Sequence, residues 1–159
     1  ETMTGEDIPS GQKEGAAEAI ENNIRRKMVE KVTVNPKYYE KMSAILDKLI
    51  QDRQHGVLSY KELLDEYIKL AKNVEHPEQN EDYPESIRKS KALQALYDNT
   101  DGDEVLAIKL HNAVLSSKMS GFRGDSIKEN RIKRALFAIL NDDAEVERLF
   151  KIIEKQEEY

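Results

Sequence analysis

The chain has 159 residues, of which 35% are charged and 6% aromatic, with no Trp, no Cys and a formal net charge of -6. That length suits one domain or two small ones, and the acidic balance argues against non-specific nucleic-acid binding by the chain as a whole. Without Cys there are no disulfides, Cys-ligated zinc or thiol catalysis, and no apolar run approaches the roughly 20 residues that a membrane span needs.

Gly and Pro are sparse, at 7 and 4, which favours helices with charged outer faces over sheets. No signal peptide is visible, and a cytoplasmic location is expected. The sequence opens at Glu1 without an initiator Met, so it is expected to be a fragment of something longer. Residues Glu1 to Gly15, rich in Gly, Thr, Ser and acids, are expected to form a flexible lead-in. A first helix is expected from about Glu14 to Val32, with Ile20, Ile24 and Met28 on a narrow stripe.

Asn35 to Gly56 carries the clearest pattern. Asn35 can cap a helix and Pro36 suits its first position, where a missing N–H costs nothing. Tyr38, Met42, Ile45, Leu46 and Leu49 then share one face, and Gly56 can take the left-handed conformation that stops the helix. Ser59 and Glu62 form a capping box for a third helix, which carries Leu63, Leu64, Tyr67, Ile68, Ala71 and Val74 inward and ends before Pro77. The acidic loop 75–85, with Pro77 and Pro84, is the one expected soft boundary inside the chain.

A short fourth helix is expected from about Ser86 to Asp98. Asp101 and Glu104 can cap a fifth that runs to about Met119. Because that fifth segment is apolar nearly all round, it is expected at the buried centre of the second half. Gly121 and Gly124 bracket a turn. Ser126 and Glu129 predict a capping box for a sixth helix, with Ile132, Ala135, Leu136, Ile139 and Leu140 inward. Asp142 and Glu145 cap the last, which turns Val146, Leu149, Phe150 and Ile153 inward. The fold class is therefore all-α: a compact bundle of about seven helices across 16–159, with two packed sub-bundles as a variant.

No residue pattern here is catalytic. His55, His76 and His111 are far apart and match no paired-ligand spacing. His111 shares a face with Ile108 and Leu115 and reads as a half-buried, hydrogen-bonded histidine. Asp98 to Glu104 resembles a calcium loop only superficially. With Gly102 in the glycine position, Tyr97 and Ile108 fall where carboxylates are required. There is no GxxxxGK[ST] phosphate loop, so no catalytic, metal or cofactor residues are assigned.

One local charge feature stands out. From Lys118 to Arg134 six bases face two acids, a balance of +4, while Asp142 to Glu158 holds seven acids and three bases, or -4. Lys128, Arg131, Lys133 and Arg134 are the candidate nucleic-acid contacts. The plainer reading is that the two neighbouring segments neutralise each other.

The strings NPKYYEKMSAILDKLI, SYKELLDEYIKLAK, ALYDN, DEVLA, GFRG and the closing KQEEY, in this order and spacing from about Glu21 to Tyr159, resemble the C-terminal region of type I restriction enzyme R subunits. One departure is Phe122, at a position where Trp is often expected. The resemblance implies a helical tail behind a PD-(D/E)xK nuclease and a superfamily-two helicase motor, neither of which has motifs here. It implies no catalysis and no cofactor in this segment, although the parent resembles ATP- and Mg-dependent enzymes. The implied partners are the M subunit of the methyltransferase core, the upstream motor domains of the same R subunit, or both, with DNA in the full complex and no membrane. Candidate partner contacts are Arg25, Arg26 and Lys27, the turn Gly121, Phe122, Arg123 and Gly124, and the closing Lys155 and Tyr159. A small DNA-binding module acting through 118–134 is the competing reading.

Overall fold

Side-chain caps decide where most of these helices begin. A computed structural model describes residues 9–159, which form eight α-helices and one 3-10 turn and contain no strand. The all-α class is as expected from the sequence. Two compact units divide the chain: one takes the segment up to Val32 with Tyr39–Gln79, the other Thr33–Tyr38 with Asn80–Tyr159.

The first unit contains α1 (Ser10–Lys31), most of α2 (Pro36–Gln54) and α3 (Tyr60–Glu75). α1 starts earlier than expected. Pro9 leads in, its carbonyl accepts from the Gln12 and Lys13 amides, and 10–15 are helical rather than a flexible lead-in. The earlier part of that lead-in lies outside the described residues. Gly11 and Gly15 sit within the helix with open space around them, so they weaken it without breaking it. α3 begins at the predicted cap, the Ser59 hydroxyl accepting from the Glu62 amide at 3.1 Å; the Glu62 carboxylate meets the Ser59 hydroxyl at 3.1 Å in place of the backbone N–H expected of a capping box.

Ile24 and Met28 of α1, Met42, Leu46 and Leu49 of α2, and Leu63, Tyr67, Leu70 and Val74 of α3 are buried. Each such aliphatic side chain stabilises the unit by about 1.5–3 kcal/mol relative to exposure. Ile45 and Ile68, expected inside, are 44% and 55% exposed. They sit at the edges of their apolar stripes, beside the buried Leu46 and Tyr67.

The second unit contains a short α4 (Glu85–Arg88), α5 (Lys91–Asp98), α6 (Glu104–Ser117), α7 (Ser126–Leu140) and α8 (Asp143–Ile153). The single helix expected over 86–98 is two. Ser90 adopts an extended conformation and its hydroxyl caps α5 by accepting from the Leu93 amide. The unit's centre is also different from the expectation. α5 buries Ala92, Leu93, Gln94, Ala95, Leu96 and Asp98, and packs on α4, α6 and α8. α6 buries one stripe, Ala107, Leu110, Val114 and Ser117, and leaves Val105 and Leu115 65% and 46% exposed. Its apolar sequence outruns its neighbours, chiefly α5 and α7.

The remaining caps are local. Asp103 accepts from the Leu106 amide for α6, and Asp142 from the Glu145 amide for α8. For α7 the cap is Asp125, not Ser126: its carboxylate accepts from the Ile127 and Lys128 amides, while Glu129 reaches back to the Gly124 amide at 3.0 Å. An extended residue immediately before the helix can aim its side chain at those amides, and a residue already in the first turn cannot.

Candidate functional site

The turn from Ser120 to Gly124 and the last six residues are brought together in the second unit. Gly121 and Gly124 adopt φ of 70° and 83°, the left-handed region that a side chain resists. This reversal drives Phe122 inward, where it is 2% exposed and meets Phe150 edge-on at 6.4 Å between centroids. Arg123 folds back over the Phe122 ring and donates to the carbonyls of Glu154 at 2.7 Å, Gln156 at 2.5 Å and Tyr159 at 3.2 Å. Those carbonyls follow the end of α8, where a cation also complements the helix dipole.

The terminal segment is held from other sides as well. The Gln156 amide donates to the Val34 carbonyl at 2.7 Å and to the Ile152 carbonyl at 2.9 Å. The Glu158 carboxylate accepts from the Ser90 hydroxyl and from the Ala92 amide, at the N-terminal end of α5. Tyr159 is 8% exposed, and its hydroxyl meets His111 Nδ1 at 2.5 Å. Burial holds the His111 imidazolium below its usual range, with the Glu158 charge opposing; burial first, then Glu158, pushes the Tyr159 phenol up.

The residues expected to meet partners therefore have different fates. Phe122 and Tyr159 are buried in the unit, and Arg123, although exposed, is bound to its own backbone carbonyls, with Gly121 and Gly124 shaping the turn. Lys155 remains exposed. In the first unit, Arg25 pairs with Asp47, Arg26 donates to Asn23 Oδ1 at 2.7 Å, and Lys27 meets Glu75 at 2.6 Å. The Lys27 and Lys31 ammonium groups beside Glu75 lower its carboxyl pKa. Along the basic segment, Lys128 donates to the Ser120 carbonyl at 2.7 Å, and Lys133 pairs with Glu147 at 3.1 Å over the Phe150 ring. Arg131 and Arg134 are exposed.

Two polar clusters have no counterpart in the sequence reading. In the second unit, the Asn35 amide donates to Asp98 Oδ2 at 2.8 Å, Asn99 donates to Asn35 Oδ1 at 2.9 Å, and the Tyr83 hydroxyl donates to Asp98. Tyr38 stacks on Tyr83 at 5.7 Å. An open, mainly polar pocket lies beside this cluster, lined by Lys37, Asp98, Asn99, Asp101, Glu145 and Arg148. Arg148 is already engaged there, with the Glu145 carboxylate at 2.7 Å and the Asn99 carbonyl at 2.7 Å. In the first unit, Arg53 forks onto the 6% exposed Glu21 at 2.8 and 3.0 Å, and the Tyr67 hydroxyl donates to the same carboxylate. Asn35 was legible as a cap and Glu21 as one acid among many; nothing local marks either as the hub of a buried cluster.

Chemically, these arrangements brace and cap. Among the described residues no group of three or more His, Asp or Glu is placed to hold a metal ion, and no helix is long and apolar enough to cross a membrane. The fold and clusters define an all-α chain of two helical units, in which Arg25, Arg53, Arg123 and Arg148 bind groups of their own unit. No family model, curated protein or solved structure matches it.

Proposed function

We propose that this chain is a non-catalytic helical module from the C-terminal region of a type I restriction-modification R subunit. It docks that subunit on the M subunits of the methyltransferase core or braces its motor domains, within an ATP-dependent DNA-translocating endonuclease of the cytoplasm.

One observation carries the reading. The short strings on which the resemblance rests supply the residues that hold the second unit together. Asn35 of NPKYY bonds Asp98 and Asn99 of ALYDN, and Arg123 of GFRG bonds the carbonyls of Gln156 and Tyr159 in KQEEY. Strings scattered over more than a hundred positions have a reason to occur together when they share one packed unit. The commitment of Arg53, Arg123 and Arg148 to neighbouring groups favours a scaffold over an enzyme, whose charged groups are kept for substrate.

The DNA-binding reading through Lys128, Arg131, Lys133 and Arg134 is supported less. Lys128 and Lys133 are occupied, which leaves two arginines, while duplex binding usually draws on several phosphate contacts.

Light scattering on the purified chain mixed with the cognate methyltransferase core, and separately with the motor fragment of the R subunit, tests the proposal. A complex with either supports it. A folded chain that joins neither, or that hydrolyses ATP by itself, overturns it.

A further inference from the structure

One face of α7 is turned wholly outward. Ile127, Asn130, Arg131, Arg134, Phe137 and Ala138 fall at i, i+3, i+4, i+7, i+10 and i+11, and all six are exposed. Ile127 is 82% exposed and Phe137 41%, so large apolar groups stand at both ends with two guanidinium groups between them. Among the described residues Arg131 and Arg134 have neither an ion pair nor a side-chain hydrogen bond. By contrast, Arg25, Arg53 and Arg148 each hold a carboxylate. Beside this face runs a groove of about 550 Å³. Lys133, Arg134 and Phe137 line one wall, and Asp143, Val146 and Glu147 of α8 line the other.

The geometry points to this outward face of α7, with its groove, as a docking site for an amphipathic helix of a second protein. Carboxylates of that helix meet Arg131 and Arg134, and an apolar side chain covers Phe137 and enters the groove. Charge complementarity selects the occupant. Two adjacent guanidinium forks with open donors match carboxylates in planar pairs. Ile127 and Phe137, on the same face on either side of them, offer contacts to the apolar stripe of such a helix. A phosphate backbone fits poorly, because it carries no apolar side chain for the flanking Ile127 and Phe137. The site narrows the docking role to one surface and rests on that role for the existence of a protein partner.

The test uses a fluorescently labelled synthetic helix with leucines along one stripe and glutamates flanking it, titrated with the full chain. Salt-sensitive binding is expected, weakened about tenfold or more by the double variant R131E/R134E and by a smaller factor in F137A. The same peptide with lysines in place of glutamates should not bind. Among the described residues Arg131 and Arg134 make no ion pair or side-chain hydrogen bond, so the double variant is expected to keep its fold, which circular dichroism verifies. Absent binding, binding indifferent to R131E/R134E, or capture of duplex DNA in preference to the peptide each overturns the site.

A second arm measures R131E/R134E against the methyltransferase core. If the core binds wild type and variant equally, the α7 site fails and the docking role stands. If the peptide binds at α7 and neither the core nor the motor fragment binds the chain, the site stands and the docking role fails.

Discussion

The Asn35 side-chain amide donates to Asp98 Oδ2 at 2.8 Å, and the Asn35 carbonyl oxygen accepts from Asn99 at 2.9 Å and from the Tyr38 amide at 3.3 Å. One small side chain thus caps the start of α2 and satisfies the buried end of α5.

Replacing Asn35 with Ala should cost about 2–3 kcal/mol, the sum of a lost cap and a buried carboxylate stripped of one donor. Asn35→Asp separates the two roles. It keeps a capping oxygen but sets a second carboxyl group against Asp98, so it should be no more stable than the Ala variant. Urea unfolding of the three proteins measures this, and an Asp variant as stable as wild type contradicts it.

Glu21 presents the opposite case, an ion pair shielded from water. With Glu21 6% and Arg53 14% exposed at the side chain, Arg53→Ala leaves an uncompensated carboxylate and should cost about 3–5 kcal/mol. Arg25→Ala, which removes an ion pair with both partners well exposed, should cost less than about 1 kcal/mol. Burial, then the Glu21 carboxylate, also raises the Tyr67 phenol above its ordinary value of 10.0. A raised folded-state value means stability is retained below that pH and lost as pH climbs past it. Tyr67→Phe should flatten that alkaline loss in a pH series of unfolding midpoints.

Arg123 should govern the order of the terminal segment more than the stability of the whole. Arg123→Ala is expected to cost about 1–2 kcal/mol and to speed amide exchange over 154–159. Arg123→Lys keeps the charge but not the fork that reaches three carbonyls, and it should restore only part of the protection. Unchanged exchange in the Ala variant would contradict the clamp.

Acid should loosen the same region through His111. Its folded-state value lies below the ordinary 6.5, with burial as the cause. The unfolded chain therefore binds the proton more readily, and stability is lost as pH falls from the ordinary value through the depressed one. Between pH 7 and 5, unfolding midpoints of His111→Gln should fall less than those of the wild type. Parallel falls would show that carboxylates alone account for the acid sensitivity.

The parts of this fold that sequence made legible are those in which both partners lie within a few residues. Ser59 with Glu62, Asp142 with Glu145 and the face of Met42, Leu46 and Leu49 need no distant information. Where long-range packing decides, pattern misleads. Val105 and Leu115 are as apolar as core residues yet stand exposed, while the short α5 is enclosed. Ser126 and Asp125 are both good caps by composition, and backbone conformation chooses Asp125. Arg123 and Tyr159, candidate partner contacts by sequence, are engaged within their own unit. Arg123's partners are backbone carbonyls more than thirty positions away, and backbone carbonyls leave no mark in a sequence.

Calorimetric titration of the chain into the cognate methyltransferase core tests the docking account most directly. The account predicts saturable binding at a fixed stoichiometry that weakens with added salt and survives Arg25→Glu, whose side chain is already engaged by Asp47. No saturable heat with the core, and none with the motor fragment of the R subunit, from a chain shown to be helical in the same buffer, would contradict it.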